Sequence, residues 1–553
     1  MIWQKLRAKL DFWHIVTFAA LAFFILFLIY PLGTILIQSI RSTATGEWTL
    51  KNFAKFFSKS YYYGALFNSF KVTLLVTLLT AVMGSLLAYI MKTVRIRGKQ
   101  LLNIMIMISI LSPPFIGAYS WVVLFGRNGV LTRIMNALFS VQLPGIYGFG
   151  GILMVFTLKL APLIYLYMTG AFNNLDKSLS EAAESLGAGS FKIMVRIILP
   201  LVLPTLLASA LLVFMRAMAD FGTPMLIGEG YKTMPVLIYN EFISEVGGDD
   251  GFAAALSVIT IVITLVIFIG QKYITNKKAV SSSSMNPMEA KPCGGIKNIL
   301  AHGFCYFFTL MTIMPQLVVI TTSFLKTSGT LFKAEFSLES YAKGFSKMGS
   351  SIVNTYVFGI IAIACIVLLG VLVSYVSVKR RNTLNNILDT VSMVPYIIPG
   401  SVLGIALLIS FNKPPLLLSG TAFIIILAWI IRRLPYTLRS SAAILHQISP
   451  SIEEAAVSLG ASNIKAFFMV TLPMMLPGVI SGALMSWLSV ITELSSSILL
   501  YTTRTRTLTI SIYTEVLHGN NGTAAALSSI LTLTTVVTLL IFFKVTGKKE
   551  LEM

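Results

Sequence analysis

EAAESLGAGSFKIMVRIILP, residues 181–200, returns as EAAVSLGASNIKAFFMVTLP at residues 454–473. The two stretches lie 273 residues apart. Both read Glu-Ala-Ala, three residues, Gly, nine residues, an aliphatic, one residue, Leu-Pro. At the same offset Lys159 meets Arg432, Pro162 meets Pro435, Pro204 meets Pro477 and Asp220 meets Glu493. Earlier in the chain the offset is 286: Asn68-Ser69 meets Asn354-Thr355, Ala88-Tyr89 meets Ser374-Tyr375, and Pro113 meets Pro399. A shared apolar composition does not hold Gly, Pro and charge at a fixed spacing, so the chain is an internal duplication. The fall in offset calls for a shorter outer loop around 411–418 than around 126–150.

The duplicated unit is a bundle of membrane spans. Of 553 residues, 56% are hydrophobic and 11% are charged, where soluble domains carry about 25% charged residues. Mean hydropathy is +0.84. Apolar runs of about twenty residues, the length a helix needs to cross a bilayer, recur throughout. This excludes a soluble enzyme, a disordered chain and a disulfide-stapled domain. A first span follows the basic N-terminus and runs up to Ile40; it is too long for a signal-peptide core, so it reads as retained. Further spans are expected at 68–91, 101–125, 151–172, 198–220 and 252–271. A Ser-, Pro- and Gly-rich linker follows at 272–298. Six more spans are expected at 299–324, 353–378, 386–411, 416–438, 473–500 and 523–543. The chain thus divides into a first half (1–271), the linker and a second half (299–553). Six is an even number, so both halves enter the membrane in the same sense, as parallel repeats with a path between them. The expected fold is all-α, with about 12 transmembrane helices.

The net charge of +21 first resembles that of a nucleic-acid binder. With the N-terminus placed inside, however, the inner segments carry most of the Lys and Arg, while Asp and Glu divide evenly. That is the bias of cytoplasmic loops, and it puts both termini and the linker in the cytoplasm. Cys293, Cys305 and Cys365 show no ligand spacing, and Cys365 is expected to be buried. The scattered His14, His302, His446 and His518 form no metal or catalytic cluster.

Within the repeated stretch, Ser180 and Ser451 are expected to cap a short helix with acidic residues in its first turn. Ala182, Ala183, Ala455 and Ala456 leave that helix a face that a partner can approach closely. Gly187 and Gly460 are expected to end it in the left-handed conformation. Pro200 and Pro473 would then stand near the start of the next span.

This pattern, found twice, resembles the EAA loop of permease subunits of ABC importers. The resemblance covers nearly the whole chain and implies the type I importer permease fold. It also implies that Glu181, Ala182, Ala183, Gly187, Glu454, Ala455, Ala456 and Gly460 couple to a cytoplasmic ATPase. No Walker A sequence is present: Gly98-Lys99 and Gly547-Lys548 lack both the upstream Gly and the following Ser or Thr. ATP and its magnesium therefore belong to a partner, and no cofactor is expected on this chain. The implied complex holds this fused permease, two ATPase copies and an extracytoplasmic substrate-binding protein in a bacterial cell membrane.

Residues 215–239, 432–462 and 492–513 look like those of fused ferric-iron permeases. The family's Glu-Leu-Pro-Ala-Thr is replaced here by Glu493-Leu494-Ser495-Ser496-Ser497. Related permeases carry aminoethylphosphonate, thiamine, polyamines or sugar phosphates, so phosphonate or another small anion is the alternative cargo, and a secondary transporter a remote one. Intramembrane charge is the independent indicator. Asp220 and Glu493 suit a hard cation; Lys159, Arg432 and the unmatched Arg216 suit an anion or an anion-chelated metal. The charges could equally pair among themselves, Asp220 with Arg216 one turn away. Glu241, Glu245, Asp249 and Asp250 fall in an outer loop, either solvated or docking the binding protein.

Overall fold

The computed structural model describes residues 11–42, 45–110, 114–140, 145–243, 249–277, 286 and 290–546. Pro113, Glu245 and much of the 272–298 linker lie outside them. Among the described residues, nine helices are long and apolar enough to cross a membrane, and two bent pairs raise this to eleven. The Ala422–Gln447 helix is not among them because Arg432, Arg433 and Arg439 interrupt its apolar face. With it, every expected span has a helix. Long outward stripes such as Leu74, Leu78 and Val82 are exposed. A four-residue repeat of exposed apolar side chains is a face made for lipid.

Two expected spans are not straight. Helices Thr383–Ile397 and Gly400–Ser410 meet at 110°. Ile398 is extended (φ −79°, ψ 126°) ahead of Pro399, as sterics before proline require. Helices Lys99–Ile110 and Phe115–Phe139 stand at 105° in the first half. The extra helix Val130–Phe139 has no counterpart after Ser410, which accounts for the shortened offset.

Pro200 and Pro473 do not start their spans. Helix already runs from Ser190 and from Asn463, and a π-helical turn, Met194–Ile198 or Phe467–Thr471, precedes each proline. A third π turn, Ile25–Ile29, precedes Pro31. Proline removes an N–H and crowds the carbonyl four residues back; the wider turn relieves both while the helix continues.

Each half lends its first helix to the other. Phe12–Ser39 packs against the second half, where Trp13 lies 4.2 Å from Tyr375 and 4.9 Å from Phe467 between ring centroids. Gly295–Ser323 packs against the first half, and Ser120 Oγ donates to the Pro315 carbonyl at 2.8 Å. Within the halves, Gly84 and Gly370 are repeat-mates at matched crossings. A Cβ on Gly84 would lie 2.6 Å from Ile164 Cβ, and one on Gly370 would lie 3.0 Å from Thr437 Cγ2.

Between the last two spans of each half lie buried short helices that the sequence did not announce: Gly222–Ile227 with Met234–Ile243, and Ser497–Leu500 with Leu508–Leu517. The sole described sheet is a hairpin, Leu325–Ser328 with Leu331–Phe336. Cys305 is buried, whereas Cys365, expected to be, is only partly so.

Candidate functional site

Lys159 lies in the Phe149–Asn173 helix, and Asp220 directly follows Leu199–Ala219. Lys159 Nζ donates to Asp220 Oδ2 at 2.5 Å, and Thr223 N donates to Asp220 Oδ1 at 2.9 Å. The second half repeats this construction. Arg432 donates to Glu493 Oε1 and Arg433 to Glu493 Oε2. Ser496 N and Ser496 Oγ donate to Glu493 Oε1 at 3.0 and 3.1 Å. Thr223 and Ser496 are themselves repeat-mates. Each carboxylate therefore ties a cation in one span to the backbone just past the end of another. A carboxyl released from a helix end is well placed to accept nearby backbone N–H groups. The pair Asp220–Arg216 does not form, because Lys159 holds Asp220.

All five residues selected from sequence, Lys159, Arg216, Asp220, Arg432 and Glu493, line one cavity of about 220 Å³ between the halves. Arg433 lines it too. The duplication does not mark Arg433, whose repeat-mate is Leu160; its sequence signal is a second arginine directly after Arg432 in an apolar run. Four cations thus face two carboxylates. Arg216 is exposed to the cavity and has no carboxylate within ion-pair distance among the described residues. Tyr436, Tyr396 and Tyr167 surround it, and its repeat-mate Ser489 lines the same space. Among the described residues, no group of three or more His, Cys, Asp or Glu is disposed to hold a metal ion.

The repeated loops form helices Lys177–Ser185 and Pro450–Ser458. Their N-caps are Asp176 and Ser449, not Ser180 and Ser451. Asp176 Oδ1 accepts from Ser178 N at 2.9 Å. Only the second helix has an acidic first turn, through Glu453. Both helices end alike. Gly187 (φ 79°) and Gly460 (φ 93°) are left-handed. Gly187 N donates to Glu184 O and Ala188 N to Ala183 O; Gly460 N donates to Val457 O and Ala461 N to Ala456 O. This paired bonding is the Schellman motif. Ala183 is buried and Ala456 half-buried against the protein's own body, while Glu181, Ala182, Glu454 and Ala455 face out. Beside each glycine stands an almost bare leucine, Leu186 or Leu459, which the sequence reading did not single out.

The two loops are anchored differently. Tyr375 donates to Glu453 Oε1, and Thr471 Oγ1 donates to Glu453 Oε2 at 3.3 Å. Lys379 Nζ donates to the Ile448 carbonyl at 3.0 Å. The first half has Ser180 and Ile198 at the positions of Glu453 and Thr471, so it lacks this anchor. Its helix carries Lys177–Glu181 at 2.6 Å, and Lys177 N donates to the Asn286 carbonyl of the linker at 2.8 Å. A hydrogen bond to a charged group contributes about 1.5–3 kcal/mol. Glu453→Gln is therefore expected to lower transport several-fold while the complex still hydrolyses ATP, and Ser180→Ala is expected to change neither rate. Parallel uptake and ATPase assays check this; equal effects of the two substitutions would remove the asymmetry.

Ahead of the last span of the first half, Asp249 Oδ1 accepts from Phe252 N at 3.0 Å, and Lys55 lies 3.7 Å from Asp249 Oδ2. Asp249 is thus engaged in capping a span. Burial holds the Glu241 carboxyl above its ordinary range, against the pull of Lys55 and Lys232.

Residues 80–280 and 366–545 both match the family of binding-protein-dependent transport system inner membrane components. Each match holds one loop helix and one cavity carboxylate with its cation. The chain belongs to this family. Such a permease is a multi-pass membrane subunit that works with a substrate-binding protein and an ATPase. This permease is similar to the ferric transport system permease protein FbpB of Actinobacillus pleuropneumoniae, with 28% identity covering 94% of this chain and 76% of the relative. It is also similar to the putative ferric transport system permease protein FbpB 1 of Haemophilus influenzae, with 28% identity over 87% of this chain and 76% of the relative. The putative 2-aminoethylphosphonate transport system permease protein PhnU of Salmonella typhi is 28% identical over 43% of this chain and 83% of its own length.

Proposed function

We propose that this permease forms the whole translocation path of an ATP-driven importer for ferric iron. The similarity to ferric permeases along most of the chain carries the cargo assignment. In this reading the loaded binding protein docks on the outer face. Two ATPase copies bind ATP and close beneath the Lys177–Ser185 and Pro450–Ser458 helices. The halves then rock about the cavity, which opens to each side in turn. Lys159–Asp220 and Arg432/Arg433–Glu493 hold the spans in register around the moving cargo. ATP and magnesium bind to the partner, both termini and the linker are cytoplasmic, and this chain breaks no bond. Residues 1–271 and 299–553 act as the two halves.

The surplus of cavity cations favours a second reading, in which the same path imports a small anion such as aminoethylphosphonate. Proteoliposomes holding the permease with its ATPase, supplied with the loaded binding protein, separate the two. ATP-dependent entry of 55Fe is the expected result. Entry of labelled aminoethylphosphonate with no entry of iron would replace the ferric reading with the second.

A further inference from the structure

We propose that the cargo crosses the cavity as an anion, and that iron passes as a ferric complex wrapped by an oxyanion or polycarboxylate carrying net negative charge. The inference rests on the ferric reading for the identity of the metal, and on the cavity for the charge of what crosses. Among the described residues that line the cavity, the carboxylates set against Lys159, Arg216, Arg432 and Arg433 are Asp220 and Glu493, while Arg216 is hydrogen-bonded to the Tyr436 hydroxyl. Both carboxylates are already engaged. Glu493 accepts from two guanidinium groups and twice from Ser496, and Asp220 accepts from Lys159 and Thr223 N. A bare ferric ion would have to displace these donors to gain an oxygen ligand. It would do so beside two unneutralised positive charges in a site of low dielectric, where repulsion is strongest. No alternative ligand cluster exists among the described residues.

An anion meets the opposite situation. Arg216 stands exposed to the cavity with no carboxylate partner among the described residues. Arg433 commits Nη2 to Glu493, but its Nε–H is buried with no hydrogen-bond partner among the described residues. A buried unsatisfied donor is costly, and a turn of the guanidinium into the cavity toward a bound oxyanion would satisfy it. Guanidinium groups present planar donor pairs that match carboxylate and phosphate oxygens. The two arginines come from opposite halves, so an anion held between them would be released when the halves separate. The duplication does not impose this arrangement. The repeat-mates of Arg216 and Arg433 are Ser489 and Leu160, so both surplus charges were placed one half at a time.

The test uses the permease–ATPase complex in proteoliposomes with binding protein loaded with 55Fe and either 32P-phosphate or 14C-citrate. The expected result is ATP-dependent entry of the anion label with iron in a fixed ratio. Arg216→Gln is expected to lower that uptake about tenfold, the effect of losing one charge-assisted contact, and Arg216→Lys to retain most of it. Thermal unfolding of both variants beside the unsubstituted permease separates a transport effect from a folding effect. Entry of 55Fe with the anion label left outside, together with normal uptake by Arg216→Gln, would overturn the anion proposal and leave the ferric reading standing. Entry of phosphate or aminoethylphosphonate without iron would end the ferric reading and leave the anion proposal standing.

Discussion

Glu493→Gln is expected to destabilise the permease by about 3–5 kcal/mol, the effect of removing one partner from a buried ion pair, and to abolish uptake. Two guanidinium groups, Arg432 and Arg433, point at this carboxylate, which is 2% exposed. Glutamine keeps the shape and loses the charge, so both arginines remain in the membrane interior without an anion. Glu493→Asp keeps the charge and is expected to recover part of the stability. Asp220→Asn is expected to cost less: Lys159 is the only cation on that carboxylate among the described residues, and at 18% exposure it already reaches the cavity. Thermal unfolding of the solubilised permease orders the three variants. An unshifted transition for Glu493→Gln would show that the charged cluster does not hold the spans of the second half together.

The sequence carried the duplication because it was written in residues with few substitutes. Gly, Pro and intramembrane charge keep their spacing while apolar side chains drift. Gly187 and Gly460 were legible as helix ends because only a left-handed residue completes that turn. The caps were misplaced because Ser180 and Asp176 satisfy the same rule, and only the backbone path chooses between them. The π turns left no local mark beyond the prolines that follow them. The bend at Ile398 was hidden inside a single apolar run, since hydropathy reports length and not direction. The exchange of first helices rests on contacts such as Trp13 with Phe467, between residues whose separation obeys no period. The five cavity charges were found because ions are rare in spans, but their pairing was not. An intrahelical partner such as Arg216 for Asp220 is visible in sequence, whereas Lys159 reaches Asp220 from another helix.

Leu186→Asp with Leu459→Asp is expected to weaken association with the ATPase by about a hundredfold or more, from the loss of two buried leucines at roughly 1.5–3 kcal/mol each. The two side chains are repeat-mates at the tips of the loop helices, and they are 88% and 90% exposed. Leucines this bare on the polar side of a membrane protein are explained by a partner that covers them. Neither contributes to the permease core, so the variant should unfold at the wild-type temperature. That control distinguishes it from Gly187→Asp with Gly460→Asp. At the glycines a new Cβ meets nothing within 4 Å, so the cost is backbone strain of about 1–2 kcal/mol per residue, which moves the leucines rather than removing them. The glycine pair should therefore weaken the complex less than the leucine pair. The two loops should also differ from each other. Glu453 fixes the second helix to Tyr375 and Thr471, so docking there orders less of the chain and keeps more of its contact energy. Leu459→Asp alone should accordingly cost more affinity than Leu186→Asp alone. Titration of detergent-purified permease with ATPase measures all four variants. Wild-type association by the double leucine variant would place the ATPase contact elsewhere than on these two tips.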